Sequence, residues 1–526
     1  MSNDDAPLAE PITTSKRLIH NTTFNVVTLF VNAVVGFLLI GFFLDKLGEA
    51  AYGVWVLLGG SIFRYGGMLN MGLNSAINRY VPIYLVQNDF DGIRRVVSTS
   101  FAFFLFTSTV LFISCFVVYW NLESWFQIRP DLIPGAKAVV LSVGLTFAIS
   151  LPLQIYTAVL SGVQRYDVMN LALIFALALR TSLLVILLIQ GHGLLTMGVV
   201  FGCSEIAARG VQLLAVRRFV PSAKFSASAV NLSLLRDMLA YGINTFMYGM
   251  GAMLICSANN IVIGVFIGEA EVSRFAVAAA AVLLLSQLLT AFTRAIKPAV
   301  SDLDARNDRD RIKELAFLSQ KYSLLVIIPS VCFFVMMGDE FLSVWVGARF
   351  AEENAIEQMA RIMAILALGH FFRLAQHSNF LVLVGRGEHR IFGILTAATA
   401  AVCVIASVVS VYVFDGGLIA IAWANFVPMA VISGGSLSAY FNWKLAIPWR
   451  DCIVRAWLPA ILGCLPSLAL MSVWNFIAPP QSWWDILKVI FVVGGLTVCG
   501  AWFFSLQDIE KRRFLHVLKP ITGRRQ

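Results

Sequence analysis

The chain has few charged residues and lacks the motifs of common catalytic sites. Only 13% of its 526 residues are charged, whereas an ordinary soluble domain has about 25%. This polar surface is too small to cover soluble domains of such a length, so the composition excludes secreted, fibrous and disordered proteins. No P-loop, H-E-x-x-H or G-x-S-x-G motif occurs, which argues against an ATP-hydrolysing or hydrolase module.

The cysteines also lack the spacing of a binding site. Eight are present, none of them in a C-x-x-C arrangement, and only Cys452 lies outside an apolar block. They are predicted to be small apolar side chains packed in the membrane rather than disulfide partners or zinc ligands. No metal or other cofactor is expected.

Long apolar runs dominate the sequence instead. Hydrophobic residues make up 59% of the chain, in blocks of about 20 residues, the length of a helix that crosses the hydrocarbon core of a bilayer. The predicted fold class is therefore all-α, a polytopic membrane protein with about fourteen transmembrane helices. The predicted spans are 23–43, 52–69, 97–119, 138–158, 168–189, 195–216, 238–262, 275–296, 322–341, 360–384, 391–414, 417–441, 454–476 and 484–504.

Lysine and arginine are distributed unevenly between the two sides of these spans. With the amino terminus inside, most of them fall in the two tails and the even-numbered connections, as the positive-inside rule requires. Both termini are therefore expected in the cytoplasm, with the protein in the inner membrane. These loops also explain the net charge of +9, so no nucleic-acid partner is expected.

A short repeat divides the chain into two similar parts. Leu47–Ala50 (LGEA) follows the first predicted span, and Ile267–Ala270 (IGEA) follows the seventh. Many transporters are built from duplicated halves with the substrate site between them. The repeat favours such an architecture, and Gly198 and Gly202, four residues apart, predict a close contact between helices.

The second predicted span carries a polar stripe. Arg64 lies about a dozen residues from either end, too deep to reach the headgroups easily, and a charge at that depth usually faces a cavity or a partner. A projection at 100° per residue places Asn70, Asn74 and Asn78 in the same arc. We expect Arg64 to face a ligand, whereas hydrogen bonds between helices would also explain the asparagines.

The eighth predicted span carries a second stripe. Gln287, Thr290, Arg294, Lys297 and Ser301 fall in one arc, with alanine and leucine on the other faces. Two interpretations remain: Arg294 and Lys297 extend to lipid headgroups, or the whole stripe lines the cytoplasmic half of a cavity.

Three bases share a face of the tenth predicted span, namely His370, Arg373 and His377. Their own helix has no carboxylate to neutralise them. Either acids on another helix do so or an anion binds there, and the histidines could also respond to pH. Two histidines without a nearby acid make an incomplete metal shell.

The sixth predicted span holds the only acid deep in any span, Glu205, four residues before Arg209. This spacing favours a mutually neutralising pair, and the alternative is a proton carrier coupled to transport. Arg180 in the fifth span could pair with Glu205 or line a cavity. In the seventh span, Asn244 shares a face with tyrosines, which suits sugar hydroxyls or ordinary helix packing.

The balance of buried charge is more informative than any one residue. Four arginines lie within or near the membrane against a single deep acid. A cavity of low dielectric constant with excess positive charge attracts anions, and guanidinium groups bind phosphate with two hydrogen bonds. An exporter of organic cations would need the opposite balance.

Three stretches resemble the polysaccharide transporter family of the MOP flippase superfamily, the Wzx-type oligosaccharide flippases. They are Leu47–Trp55 (LGEAAYGVW), Met71–Val81 (MGLNSAINRYV) and Ser161–Asp167 (SGVQRYD). The resemblance implies two pseudo-symmetric six-helix lobes, residues 1–234 and 235–441, around a central cavity. Residues 442–526 would add two helices and a basic tail. Related lipid II flippases carry cavity arginines to which Arg64 and Arg294 correspond by position, but the first span here has none.

The resemblance and the charge balance together predict a flippase for a polyprenyl-diphosphate-linked oligosaccharide. It would serve exopolysaccharide, capsule or O-antigen assembly, in contact with membrane lipids and with a polymerase or glycosyltransferases as possible partners. A cation-coupled drug exporter or a lipid II flippase on the same fold are the alternatives. A membrane enzyme is disfavoured because no long loop carries paired carboxylates.

Overall fold

The computed structural model describes residues 14–293, 295–350, 352 and 354–512. Its regular structure is entirely helical in these residues, which confirms the predicted fold class. The α-helices are α1 Thr14–Leu47, α2 Glu49–Val54, α3 Ser61–Gly66, α4 Leu73–Val86, α5 Phe90–Trp125, α6 Ile133–Gly162, α7 Tyr166–Ile189, α8 Leu194–Phe219, α9 Leu232–Phe266, α10 Glu269–Thr293, α11 Ile296–Ala305, α12 Arg309–Met336, α13 Gly338–Val346, α14 Ala355–Ala375, α15 His377–Gly385, α16 Arg390–Tyr412, α17 Leu418–Pro428, α18 Leu437–Leu445, α19 Trp449–Cys452, α20 Leu458–Ile477 and α21 Trp483–Gly500.

Twelve helices of the described residues are long and apolar enough to cross a membrane. They coincide with the third to fourteenth predicted spans, so the chain is a multi-pass membrane protein. The first predicted span lies within α1, and the second lies in a helix with several interruptions. The total of fourteen crossings therefore stays a prediction.

The second predicted span is not one continuous helix, which corrects the stripe assigned to it. A π-helical turn, Trp55–Gly60, precedes α3, and a 3-10 turn follows it. Met71 and Gly72 then take left-handed conformations, with φ of 45° and 81°. Projection at 100° per residue holds only along an unbroken helix, so Arg64 does not share a helical face with Asn74 and Asn78.

The eighth predicted span is also divided, in this case between two helices. α10 ends at Thr293 and α11 begins at Ile296, so Gln287 and Lys297 lie on different helices. Pro298 lies in the first turn of α11, where a backbone N–H has no partner within the helix. In the middle of a continuous helix, the missing N–H would remove one backbone hydrogen bond. Arg294, at the centre of the stripe, lies outside the described residues, so the single face of five residues stays a prediction.

Small residues permit close packing within the first half of the chain. A Cβ atom added to Gly198 or Gly202 of α8 would lie 2.1 Å from the hydroxyl of Ser142 or Thr146 on α6. Helices approach this closely only where one of them presents glycine. The contact predicted from the spacing of the two glycines is confirmed.

The last two long helices are fastened to the second half by a buried ion pair. Lys321 of α12 donates to both carboxylate oxygens of Glu510, at 2.7 and 2.8 Å, and to the carbonyl oxygen of Ser505. Both side chains are almost fully buried. Removing one member would leave an uncompensated buried charge, so this pair fixes the end of the α21 region against α12.

The repeated sequence forms the same turn twice. Gly48 and Gly268 both have positive φ, 79° and 155°, and each directly precedes a helix that begins with glutamate, α2 and α10. These two helices pack together: a Cβ atom on Gly53 would lie 1.7 Å from the carbonyl oxygen of Glu269. The repeat therefore marks a contact between the first half, α1–α8, and the second half, which begins at α9.

The two halves touch at both ends of the bundle. The α2–α10 contact lies at the end that the charge pattern predicts to face outwards, called the outer end below. At the inner end, Gly72 approaches α9, where an added Cβ atom would lie 2.4 Å from the carbonyl oxygen of Gly242. Arg64 lies along the chain between Gly53 and Gly72, and Ser257 lies between Gly242 and Glu269.

Candidate functional site

Two of the three bases of the tenth span, His370 and Arg373, are in contact as predicted. The Arg373 guanidinium donates to Ser286 Oγ of α10 at 3.1 Å and lies within 3.4 Å of His370 Nδ1. His377 Nδ1 lies 3.4 Å from the hydroxyl of Tyr248 on α9. α14, α15, α9 and α10 thus join around one cationic cluster, although the helix is interrupted at residue 376.

Arg64 reaches the other half of the molecule. Its Nη1 donates to Ser257 Oγ of α9 at 2.7 Å, and Ser257 is buried whereas Arg64 is exposed. A side chain bonded to the opposite half cannot point away from it, so Arg64 lies at the surface between the halves. Its predicted ligand-facing role stays a prediction.

The two guanidinium groups share one electrostatic property. Among the described residues, neither Arg64 nor Arg373 has a carboxylate within ion-pair distance, and each donates to a serine hydroxyl. A serine satisfies only one of five guanidinium donors and does not neutralise the charge. Both groups keep donors available for an anion such as a phosphate.

A separate polar network lies inside the first half. Arg209 pairs with Glu205 at 2.5 Å and also donates to Thr157 Oγ1 of α6 and to Gln212. This is the neutralised pair that the spacing favoured. Arg180 lies 4.5 Å from the ring centroid of Phe201, with no ion pair to Glu205 in the described part of the chain.

The asparagines after the second span have different environments. Asn70 donates to the carbonyl of Gly67 and accepts from the N–H of Gly72, so it stabilises the helix interruption and its amide is occupied. Asn74 has a buried Oδ1 without a partner among the described residues. Asn78 is exposed. Binding by these residues stays a prediction, with Asn70 the least available of the three.

The remaining predicted site residues lie near α10 and α11 or outside the described part of the molecule. Gln287 and Lys297 are exposed, and Ser301 donates to the carbonyl of Gly385. Arg294, and the side chain of Asn244, lie outside the described residues. Their predicted roles are neither supported nor opposed by the structure.

An apolar groove of about 970 Å³ runs beside α10. α1, α10, α12 and α21 form its walls, through Phe37, Leu288, Pro329 and Ile490 among others. Leu288 and Ile490 are half-exposed, so the groove is open to its surroundings. α10 therefore carries Leu288 in the groove and, two residues earlier, the serine that binds Arg373.

Sequence reasoning missed the neutral partners of the arginines. Ser257 and Ser286 are serines in apolar spans, where a serine usually bonds to the backbone of its own helix. Their residue type therefore gave no signal of a bond to an arginine on another helix. It also missed the pairing of Arg274 with Glu49 and Glu352, at 2.5 and 2.6 Å. Glu49 is part of the repeat, and this was the available signal.

Comparison of the sequence with protein families identifies one family. A family described as "Polysaccharide biosynthesis protein" matches residues 47–355, which is more than half of the chain. No curated protein sequence matches significantly.

Several solved structures share the fold over most of its length. An inward-facing multidrug resistance MATE family transporter of the MOP superfamily has a TM-score of 0.65 at 15% identity, over 80% of this chain and 94% of that one. Lipid II flippase MurJ in an inward closed conformation has a TM-score of 0.65 at 14% identity, over 94% and 99%. A MOP superfamily transporter from Pyrococcus furiosus gives 0.58 at 13% identity, over 82% and 96%.

The TM-scores establish a common architecture, and the family match rests on the sequence itself. The resemblance inferred from the motifs at 47–55 and 71–81 is thereby confirmed. The chain belongs to the polysaccharide biosynthesis protein family and has the fold of the MOP superfamily.

Proposed function

We propose that the chain is a flippase that moves a polyprenyl-diphosphate-linked oligosaccharide from the inner to the outer leaflet of the cytoplasmic membrane. Two lobes, residues 1–234 and 235–441, alternate in access around a cationic site between them, and both termini lie in the cytoplasm. The observation that carries the proposal is that Arg64 and Arg373 are not neutralised by any described carboxylate.

The diphosphate is the group that these arginines recognise in the proposal. Each guanidinium offers paired N–H donors that match two phosphate oxygens. Both are bonded to serines on adjacent helices of the second half, Ser257 on α9 and Ser286 on α10. Each arginine can exchange its serine hydroxyl for a phosphate oxygen at little cost in free energy. This exchange suits transient binding.

The polyprenyl tail has a place in the apolar groove. Its walls are almost entirely hydrocarbon and aromatic side chains, so a lipid chain gains burial there without leaving polar groups unpaired. The groove and the Arg373 cluster both border α10, so a headgroup at the cluster would have its tail beside the same helix.

The glycan is assigned to the polar residues around the cationic site. Asn74, Asn78 and Gln287 offer amides suited to sugar hydroxyls, and Asn244, Arg294 and Lys297 remain in the proposal by their sequence positions. Exopolysaccharide, capsule or O-antigen assembly is the proposed setting, with a polymerase or glycosyltransferases acting on the same lipid-linked sugar.

A cation-coupled multidrug exporter is the alternative on this fold. It would need an acid free to bind a proton or a cationic drug. Glu205 is engaged by Arg209 in the described structure, which favours the anionic substrate. A lipid II substrate would use the same diphosphate chemistry and differs only in the glycan.

The test is a flipping assay with purified protein in liposomes and a short-chain polyprenyl-diphosphate disaccharide. Arg64→Ala and Arg373→Ala should each lower the initial rate at least tenfold, because each removes a group that binds the diphosphate. Arg64→Lys should retain part of the rate because it retains the charge but not the paired donors.

Arg361→Ala is the matched control for these variants. Arg361 lies near the start of α14 and pairs with Glu357 on an exposed surface, so its loss removes one arginine without changing the site. Its rate should equal that of the unaltered protein. Unchanged rates in both Arg64→Ala and Arg373→Ala would refute the assigned site.

A further inference from the structure

Arg79 lies where the two halves meet at the inner end. It belongs to α4 of the first half, and its guanidinium lies 4.7 Å from the ring centroid of Tyr241 on α9. Tyr241 directly precedes Gly242, the glycine that approaches Gly72. Both side chains of the contact are exposed, that of Tyr241 to 45%. Arg79 therefore presents its charge to water at the junction of the halves.

This charge is not neutralised within the described part of the chain. Arg79 has no carboxylate within ion-pair distance there, whereas Arg94 on the next helix pairs with Asp91 at 2.8 Å. The ring of Tyr241 covers one face of the guanidinium. A guanidinium is planar and its five N–H donors point outwards in that plane. These donors remain available to a phosphate that approaches through the water.

The start of α9 adds no net charge beside Tyr241. Arg236 and Asp237, about one turn before it, are both exposed, and they contribute one positive and one negative charge. On α4, the exposed neighbour of Arg79 is the uncharged Asn78. Arg79 is therefore the excess cation of these two helix segments, and it attracts anions to the junction.

Arg79 and the cationic site lie at different depths along α9. Tyr241, which contacts Arg79, lies sixteen residues before Ser257, which binds Arg64. At 1.5 Å per residue this spacing is ~24 Å. The glycine contact of the inner end lies between the two arginines along both parts of the chain. An anion from the inner side thus reaches Arg79 while this contact is closed, and Arg64 only after it opens.

We propose that Arg79 is an entry site for the diphosphate of the lipid-linked substrate. It binds the group at the closed inner contact, before the group moves on to Arg64 and Arg373. This inference rests on the proposed function, because it assumes that the diphosphate binds at the cationic site.

The separation of the two sites determines what Arg79 changes. Charges in water are screened beyond about 8 Å at physiological ionic strength, so Arg79 does not act on a diphosphate that is already bound ~24 Å away at Arg64. It stabilises the diphosphate on the path alone. Entry and exit therefore accelerate by the same factor, and the affinity of the cationic site stays the same.

The experiment measures binding kinetics by surface plasmon resonance, with the purified full chain immobilised in an uncharged detergent. Farnesyl diphosphate and farnesol are injected separately. In Arg79→Ala, the association and dissociation rate constants of farnesyl diphosphate should both fall about threefold or more at low salt, with Kd unchanged. The rates for farnesol should not change. At ~1 M salt, where the screening length is about 3 Å, the difference should disappear.

Four further variants separate the charge from the contact. Tyr241→Leu removes the same contact between the halves but keeps the charge of Arg79, so the rates should not fall. Arg79→Lys keeps the charge and should retain most of both rates. Asp237→Asn removes a negative charge and should raise them. Arg218→Ala is the matched control, since Arg218 is exposed in the last turn of α8, which packs on α6 and α7, and its rates should be unchanged.

The outcomes distinguish this entry site from the proposed transport function. Equal affinities of the unaltered protein for the two ligands would refute the cationic site, and the entry site with it. A preference for the diphosphate, with rates that Arg79→Ala leaves unchanged, would overturn the entry site alone. An equal loss of rate in Tyr241→Leu would also overturn it, because the lost contact would then be the cause. So would a weaker Kd with an unchanged dissociation rate constant, which would place Arg79 in the bound complex.

Discussion

The two contacts between the halves are built from different chemistry. At the outer end, Arg274 bridges Glu49 of α2 and Glu352 of the loop before α14, at 2.5 and 2.6 Å. Arg349 binds both carboxylate oxygens of Asp45, at 2.6 and 3.0 Å. Charged pairs thus link α1 and α2 to the second half across this end.

At the inner end, close packing of two glycines and one cation–π contact join the halves. Gly72 and Gly242 approach so closely that a Cβ atom on either would lie within 2.5 Å of the other backbone. Beside them, the guanidinium of Arg79 lies 4.7 Å from the ring centroid of Tyr241. No ion pair crosses between the halves at this end among the described residues.

The difference indicates how the two ends respond to change. Desolvated ion pairs need both partners, since removing one leaves a buried charge uncompensated. A contact between two glycine backbones does not depend on charge, but an added side-chain atom disrupts it. In an alternating-access cycle, we therefore expect the outer contact to fail when a charge is removed and the inner contact to fail when a methyl group is added.

The largest expected effect follows Arg274→Ala. Both Arg274 and Glu49 are largely buried, and breaking a buried pair by removing one partner costs about 3–5 kcal/mol. The outer end should open and the thermal unfolding temperature should fall. Spin labels at Ser124→Cys and Asp339→Cys, with Cys203 and Cys499 replaced by serine, would report the change as a longer distance.

Arg361→Ala serves as the control for this measurement as well, because its exposed pair with Glu357 does not link the halves. Its label distance should match that of the unaltered protein. An unchanged distance in Arg274→Ala would contradict the role of this network in closing the outer end.

Gly242→Ala should open the opposite end. The new methyl group would meet the Gly72 carbonyl oxygen, 2.5 Å from the ideal Cβ position, and overpacking of this kind costs about 1–3 kcal/mol. Labels on exposed inner positions of α4 and α9, such as Asn78→Cys and Leu232→Cys, should move apart while the outer labels do not. Gly249→Ala on the same helix, with only a side chain 3.7 Å away, should change neither distance.

Glu49→Gln should have a smaller effect than Arg274→Ala. Burial raises the pKa of Glu49 despite its pairing with Arg274, so the ion pair offsets only part of the cost of burying the carboxylate. Glutamine keeps an oxygen that accepts from Arg274, and Glu352 still neutralises the guanidinium, so we expect a loss of about 1 kcal/mol, the net worth of one hydrogen bond. A melting temperature lowered as far as in Arg274→Ala would contradict this ranking.

Acidification should leave the outer end closed. A pKa that is raised in the closed state favours closure as the pH falls through it, because the closed state then holds the proton more tightly. Arg274 lowers the pKa of Glu352, so Glu352 stays ionised below the ordinary glutamate pKa of about 4.3. The outer label distance should therefore stay constant between neutral pH and that value, and an increase would contradict the assignment.

The smallest effect is expected for Arg79→Leu at the inner end. It removes one partly exposed cation–π contact, worth about 0.5–1 kcal/mol. The inner labels should show a minor second distance population and little change in melting temperature. A complete opening would mean that the aromatic contact, rather than the glycine pair, holds this end.

The sequence was sufficient to predict the membrane helices, from hydropathy, and contacts along one helix, from the helical period. The third to fourteenth spans were each predicted where a membrane-length helix occurs, because twenty apolar residues have few alternatives to a membrane helix. The helix of the ninth span nevertheless begins at Arg309, thirteen residues before the predicted start at 322. His370 and Arg373 were placed on one face of α14, and Glu205 was paired with Arg209. Each of these contacts lies along one nearly regular helix, where spacing determines direction.

Prediction failed where the helix itself is interrupted. The left-handed residues Met71 and Gly72 redirect Asn74 and Asn78 in a way that a helical projection does not show. The long-range partners were also missed. Lys321 and Glu510 are separated by 189 residues and no sequence signal links them. Arg274 and Glu49 are 225 residues apart, and the repeat that contains Glu49 was their one signal.

The most direct test of the cationic site is a binding measurement with two simple lipids. Purified protein in detergent is titrated with an isoprenyl diphosphate and with the isoprenol of the same chain length. The diphosphate should bind at least tenfold more tightly, and Arg64→Ala combined with Arg373→Ala should make the two affinities equal. Equal affinities in the unaltered protein, or a preference that survives in the double variant, would contradict the account.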